Sequence, residues 1–348
     1  MTLSELSYYI RRYLPFVFLF FIFLMIVFYI FKLIFILIDS NSQKTIFHQP
    51  IFGKIKKPYI KEASSSANFN FILDTIEGVP ITATLSAKVY FLPPSLARLG
   101  YREKIFLMAK SFGFDIANTQ YKLIEKEAEF SNEKQKLLID ITNFNFRYDY
   151  NFEKDSSLFE NVFIPSQKEI ENEAIDFLKR INRYPNELSQ GKLAVNFLKY
   201  YPEEKIFSAV KDNNEANVVE VNFYRPDIEG VPVVTANFPS SQNFIIFIFY
   251  ENGYKILRAQ IKFFEKSPEQ YGVYLLKKGD EAWQELKNGR GLIISSTENQ
   301  KNVVIKNMFL AYYDPDIYQE YLQPVYVFIG EPNFIAYVPA VSNEYLTE

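Results

Sequence analysis

Acid–base, nucleophilic and metal chemistry need particular side chains, and this 348-residue chain is short of them: it has one histidine, His48, and no cysteine. His48 lies in a polar stretch far in sequence from any plausible pocket. A Ser-His-Asp triad, a cysteine nucleophile or a zinc site of ordinary ligand set would each lack essential parts. Carboxylate chemistry is the remaining route. Glycoside hydrolysis needs two acidic side chains ~5–9.5 Å apart, and Asp74 with Glu77, or Asp227 with Glu229, supply the residue types. Both pairs sit in turn-like sequence, where acidic residues are expected without catalytic duty. Calcium needs clustered oxygens, for which Asp212-Asn213-Asn214-Glu215 and Asp314-Pro315-Asp316 are the nearest candidates; neither has EF-hand spacing or its glycine. No G-x-x-x-x-G-K-[ST] or G-x-G-x-x-G phosphate cradle is present, and Asn288-Gly289-Arg290-Gly291 reads as a helix stop. Trp283, the only tryptophan, can share a helix face with Ala282 and Leu286, which core packing explains. The sequence therefore assigns no catalytic, cofactor-binding or metal residue and no cofactor, and the expectation is a protein that is not an enzyme.

The elements that would position any site are mostly strands. Asn68–Leu73 and Val79–Phe91 read as a hairpin around Glu77-Gly78, stopped by Pro93-Pro94. Ile105, Met108, Ala109 and Phe112 recur at helical spacing within Arg98–Phe112, before Gly113. Two long strands follow, Tyr121–Phe130 and Lys136–Tyr150. Ser166 with Glu169 forms a capping box that opens a helix, and Tyr184-Pro185-Asn186 leads into a second helix near Leu188–Tyr200. Beyond it, Val218–Tyr224, Val231–Asn237 and Phe244–Tyr250 read as strands, with Asn252-Gly253 turning into a return strand Tyr254–Phe264. A short helix Asp280–Lys287 and strands Val303–Tyr313, Val325–Ile329 and Phe334–Val338 complete the chain.

The most prominent feature of composition is an apolar run from Leu14 to Ile38, interrupted only by Lys32. At about 1.5 Å per residue it would form a helix of ~37 Å, against ~30 Å of hydrocarbon, so the expectation is one transmembrane helix. A cleavable leader has a shorter apolar region, of ~7–15 residues. Arg11 and Arg12 against the span favour a cytoplasmic N-terminus and an extracytoplasmic body in the cell membrane, although Lys44, Lys54, Lys56 and Lys57 follow on the other side. The expected partners are the lipid bilayer and another membrane or envelope protein. With 38 basic and 41 acidic side chains, net charge −3, there is no electrostatic footprint for nucleic acid.

One internal echo stands out: Ile76-Glu77-Gly78-Val79-Pro80-Ile81 returns as Ile228-Glu229-Gly230-Val231-Pro232-Val233, which suggests a repeated unit. The second copy opens a series of features, through Glu251-Asn252-Gly253, Asp280-Glu281-Ala282-Trp283-Gln284-Glu285-Leu286, Met308-Phe309-Leu310-Ala311-Tyr312-Tyr313 and Leu322-Gln323-Pro324-Val325-Tyr326-Val327-Phe328. Over about residues 218–341 this order resembles the extracytoplasmic regulators YycH and YycI, with PepSY-like domains. The resemblance implies no catalytic residues and a sensor kinase as the kind of partner bound.

The expected fold is α+β: an N-terminal single transmembrane helix, then two related lobes of antiparallel sheet with helices packed on one side. The expected segments are a tail (1–13), the span (14–38), a stalk (39–67), a first lobe (68–164), a helical connector (165–217) and a second lobe (218–348). The expected role is a membrane-anchored, extracytoplasmic regulatory module acting through protein–protein contacts. The alternatives are a cell-envelope glycan-acting enzyme using paired carboxylates, or a structural component of an envelope or secretion assembly.

Overall fold

A computed structural model describes residues 14, 16, 18–32 and 47–347, apart from 62, 98, 212, 298 and 299. Two compact units divide the chain, Met1–Phe47 and His48–Glu348. In the first, residues 18–32 form a helix, α1, whose apolar side chains from Phe18 to Phe31 are almost all exposed. At about 1.5 Å per residue that stretch is ~22 Å long, less than the ~30 Å of a bilayer core. Among the described residues no helix is long and apolar enough to cross a membrane. The expected single-pass transmembrane helix and signal anchor are corrected accordingly. The expected tail (1–13), the last residues of the expected span (33–38) and the start of the expected stalk (39–46) lie outside the described residues.

The second unit is mostly β-sheet. Its first strands are β1 (Ile55–Lys56), β2 (Ser64–Ser65), β3 (Asn70–Leu73) and β4 (Ser86–Phe91), followed by helix α2 (Tyr101–Ser111). Then come β5 (Lys122–Ile124), β6 (Glu127–Ser131), β7 (Gln135–Asp140) and β8 (Phe146–Tyr150), and helices α3 (Gln167–Arg180) and α4 (Asn186–Ser189). Strands β9 (Leu193–Tyr201), β10 (Ile206–Ala209), β11 (Val218–Phe223), β12 (Val233–Val234), β13 (Phe244–Tyr250), β14 (Gly253–Ile261) and β15 (Tyr271–Leu275) precede helix α5 (Gly279–Glu285). The chain closes with β16 (Leu292–Ser295), β17 (Asn302–Tyr313), β18 (Tyr321–Glu331), β19 (Phe334–Pro339) and β20 (Leu346–Thr347).

Two large sheets and one small one result. The first runs β10-β9-β11-β13-β14-β8-β7-β6-β5 and is antiparallel throughout. Alternation sets its faces: Phe146, Tyr148 and Tyr150 on β8 are buried, while Arg147 between them is exposed. The buried face is covered by α2, through Ile105, Met108 and Ala109, and by α3, through Ile170, Ala174, Phe177 and Leu178. The Ser166 capping box is formed: Glu169 accepts from the Ser166 N–H at 2.9 Å, and the Ser166 hydroxyl accepts from the Glu169 N–H at 3.4 Å.

The second sheet runs β12-β17-β18-β19-β16-β2, with β3 beside β17 and β4 between β15 and β18. One face packs on α5 through Ala282, with Leu286 just beyond it; the other, with Val234, Tyr313, Val325 and Tyr337, packs with Ile60, Ala63 and Phe238. The third sheet is the parallel pair β1–β20.

This arrangement corrects the expected pair of related lobes, because each large sheet draws strands from both halves of the chain. The expected hairpin around Glu77-Gly78 does not form: β3 lies parallel to β17, and β4 pairs with β15 and β18. The expected second helix near Leu188–Tyr200 is only the single turn of α4, after which β9 begins; Val195 and Phe197 pair with Val221 and Val219, a tertiary gain that outweighs local propensity. The two echoed motifs also differ in the backbone. Gly78 alone takes positive φ in the first copy, whereas Glu229 and Gly230 both do in the second, closing a tight turn between Ile228 and Val231. Both copies border β17, the first beyond the end of β3 and the second leading into β12, which is also parallel to β17.

Candidate functional site

The expected long strand Lys136–Tyr150 is interrupted between β7 and β8 by a turn that Asp140 organises. Its Oδ1 accepts from the Thr142 N–H at 2.8 Å and the Thr142 hydroxyl at 2.5 Å, and its Oδ2 accepts from Asn143 Nδ2 at 3.2 Å. Burial pushes the Asp140 carboxyl up, but the Thr142 bonds and the Lys126 ammonium at 3.1 Å win and hold it below its ordinary value. The turn continues as Asn145 N–H donates to Asn143 Oδ1 at 2.8 Å. Asn143 and Asn145 are thereby fixed in place.

Asn145 faces the residue that leaves α3. Asn182 takes positive φ and ends the helix, and the Arg183 N–H reaches back to the Leu178 carbonyl at 2.7 Å. The Arg183 guanidinium donates from Nη2 to Asn145 Oδ1 at 2.6 Å, and the same oxygen accepts the Phe263 N–H at 3.0 Å. Two donors are left over: Arg183 Nε and Asn145 Nδ2 are shut away from solvent with no hydrogen-bond partner. Each such group costs about 1–3 kcal/mol when unpaired. Among the described residues no carboxylate lies within ion-pair distance of this guanidinium. Burial draws it down to about 10, against the raising influence of Glu265 and Asp140, so it stays cationic at neutral pH.

Arg183 lines an open cavity of about 560 Å³ together with Asn143, Glu265, Phe263, Phe264 and the loop Pro93–Leu96. It lies where the chain leaves the first sheet after β14 and where it leaves β4 of the second. A separate ion cluster holds its floor. Arg225, fully buried, donates to Glu187 at 2.7 Å, Asp314 at 3.0 Å and the Phe264 carbonyl at 2.6 Å, and lies over the Phe263 ring at 4.1 Å. Lys266 joins Glu187 at 3.0 Å, so two cations meet two carboxylates. Burial works to lower the Arg225 guanidinium, but Asp314 and Glu187 hold it above its ordinary value.

The sequence-derived candidates are scattered. Asp74 pairs with Lys306, and Glu229 with Lys88, so each proposed acidic pair has one member held by a lysine. Asp314 belongs to the Arg225 cluster and Asp316 pairs with Lys262 at 3.3 Å. Asn213–Glu215 forms an exposed single turn, and Asp212 lies outside the described residues. Among the described residues no group of three or more histidine or acidic side chains could hold a metal ion. Trp283 packs on Phe71 and Phe328 at the second core, and the stop at Asn288–Gly291 seats the segment before β3: the Ser65 hydroxyl donates to the Gly289 carbonyl at 2.6 Å. His48 is exposed, away from the cavity. Sequence reasoning missed Arg183, Asn145 and Glu265. The usable signal was Asp140-Ile141-Thr142-Asn143-Phe144-Asn145, whose side chains favour a turn over a continued strand.

No family model matches the chain, and no curated protein matches it. Among solved structures it is similar to an uncharacterized protein from Eubacterium rectale ATCC 33656, at 12% identity over 78% of this chain and 89% of that one. The TM-score is 0.34, a likeness too slight to carry an inference.

Proposed function

We propose that this protein is a regulatory binding module that acts through contact with a partner protein and not by turnover of a substrate. The observation that carries this reading is a cation without a counter-ion in a preformed cavity: Arg183 lines it with no carboxylate in ion-pair distance among the described residues, and the adjoining turn is already braced. A group of this kind gains most when a ligand supplies the missing acceptor. The acidic residues a glycan-acting enzyme would use are drawn instead toward lysines on separate elements. The resemblance of residues 218–341 to YycH and YycI supports a signalling protein such as a sensor kinase as the partner class.

The test starts from the purified full chain used to capture partners from its own cells. The captured protein is then purified and remixed, and analytical ultracentrifugation should show a defined complex with a Kd of about 1 μM or tighter. Release of sugars from a cell-wall glycan by the chain, with no such complex, would overturn the reading.

A further inference from the structure

We propose that the Arg183 cavity receives the carboxylate of a singly charged acid with an apolar body. This rests on the reading of the protein as a binding module and names the chemistry its pocket takes.

Arg183 defines the ligand's polar end. Its Nη2 is held by Asn145 Oδ1, which also accepts the Phe263 N–H, so the guanidinium is fixed where it lines the cavity. It has no carboxylate within ion-pair distance among the described residues, so the complementary group is an oxygen-bearing anion. The planar guanidinium presents its remaining Nη hydrogens in a fixed plane, which suits the planar oxygens of a carboxylate. Charge selects a monoanion: Glu265 shares the cavity wall, and Asp140 lies behind Asn143, so a second negative charge on the ligand is repelled. Pro93, Pro94, Leu96, Phe263 and Phe264 form the rest of the wall and accept an apolar body. The volume of about 560 Å³ falls within the range of ~300–1,000 Å³ usual for small-molecule sites. The carboxylate has two possible sources, a free organic acid or the C-terminus of a peptide.

The test is calorimetric titration of the full chain with 4-phenylbutyrate, its primary amide, inorganic phosphate, and a short peptide ending in phenylalanine as free acid and as amide. At least one free acid should bind, at least tenfold more tightly than its own amide and than phosphate. Tighter binding of the peptide acid identifies a chain end as the source, and tighter binding of phenylbutyrate a free acid. Glu265→Gln, at an exposed position that tolerates change, should tighten the acid severalfold, because a like charge leaves the wall. Arg183→Met should weaken it at least tenfold. Should that variant fail to fold, Glu265→Gln and the acid–amide comparison decide alone. Equal binding of acid and amide, preference for phosphate, absence of binding by every acid, or no tightening in Glu265→Gln overturns the assignment. Any of these failures with the partner complex still formed leaves the contact-based function standing.

Discussion

At the scale of single residues, Asp140 shows how a carboxylate can be used to shape backbone. Its folded-state value lies below its ordinary one, so its contribution to stability is present above that ordinary value, near 3.8, and is lost as pH falls through the depressed folded value. Urea midpoints measured from pH 7 down to pH 3 should therefore show wild type above Asp140→Asn at neutral pH, with the gap closing below about pH 4. Gly191 carries a different constraint. A Cβ there would lie 1.7 Å from the Tyr224 carbonyl oxygen, a backbone atom that cannot swing aside. Gly191→Ala should cost at least the upper end of the about 1–3 kcal/mol typical of overpacking, read as a fall in urea midpoint.

At the scale of elements, α5 is held to the second sheet by a buried pair. Lys277 Nζ donates to Glu285 Oε2 at 3.0 Å and to the Pro339 carbonyl at 2.9 Å, while Asn343 donates to Glu285 Oε1 at 2.6 Å. Burial lowers the Lys277 ammonium below its ordinary value, with Glu285 opposing that fall. Lys277→Met alone strands a buried carboxylate and should cost about 3–5 kcal/mol, whereas Lys277→Met with Glu285→Leu should recover much of the loss. Denaturant titration of the two variants separates pairing from packing. Elements with local signals were legible in the sequence: the Ser166 cap of α3, the Asn252-Gly253 turn between β13 and β14, and the apolar spacing of α2. The partners of β3 and β4 were not, because β3 meets β17 across more than two hundred residues and no local preference encodes that choice. Arg183 was illegible for the same reason. An arginine just past a helix end suits the macrodipole and reads as solvated. Only Asn145, on the turn between β7 and β8 and itself held by the Phe263 N–H, makes it a fixed donor.

At the scale of the whole molecule, Arg225 ties the sheets together, linking Glu187 of α4 with Asp314 at the end of β17. Arg225→Met leaves both carboxylates without their guanidinium and should cost about 3–5 kcal/mol. Trp283 reports on the second sheet alone. In wild type its fluorescence and far-ultraviolet circular dichroism should give one superimposed urea transition, and in Arg225→Met the two curves should separate.

The small pair β1–β20 has a mechanical meaning. The strands run parallel, with the Lys57 N–H on the Thr347 carbonyl at 3.0 Å. A pull applied between the entry to β1 and the exit from β20 acts along both strands in opposite directions. It loads the clasp in shear, so its bonds resist together and do not peel open singly. Tension reaching this unit through residue 55 is thus borne first by the last few residues before 348.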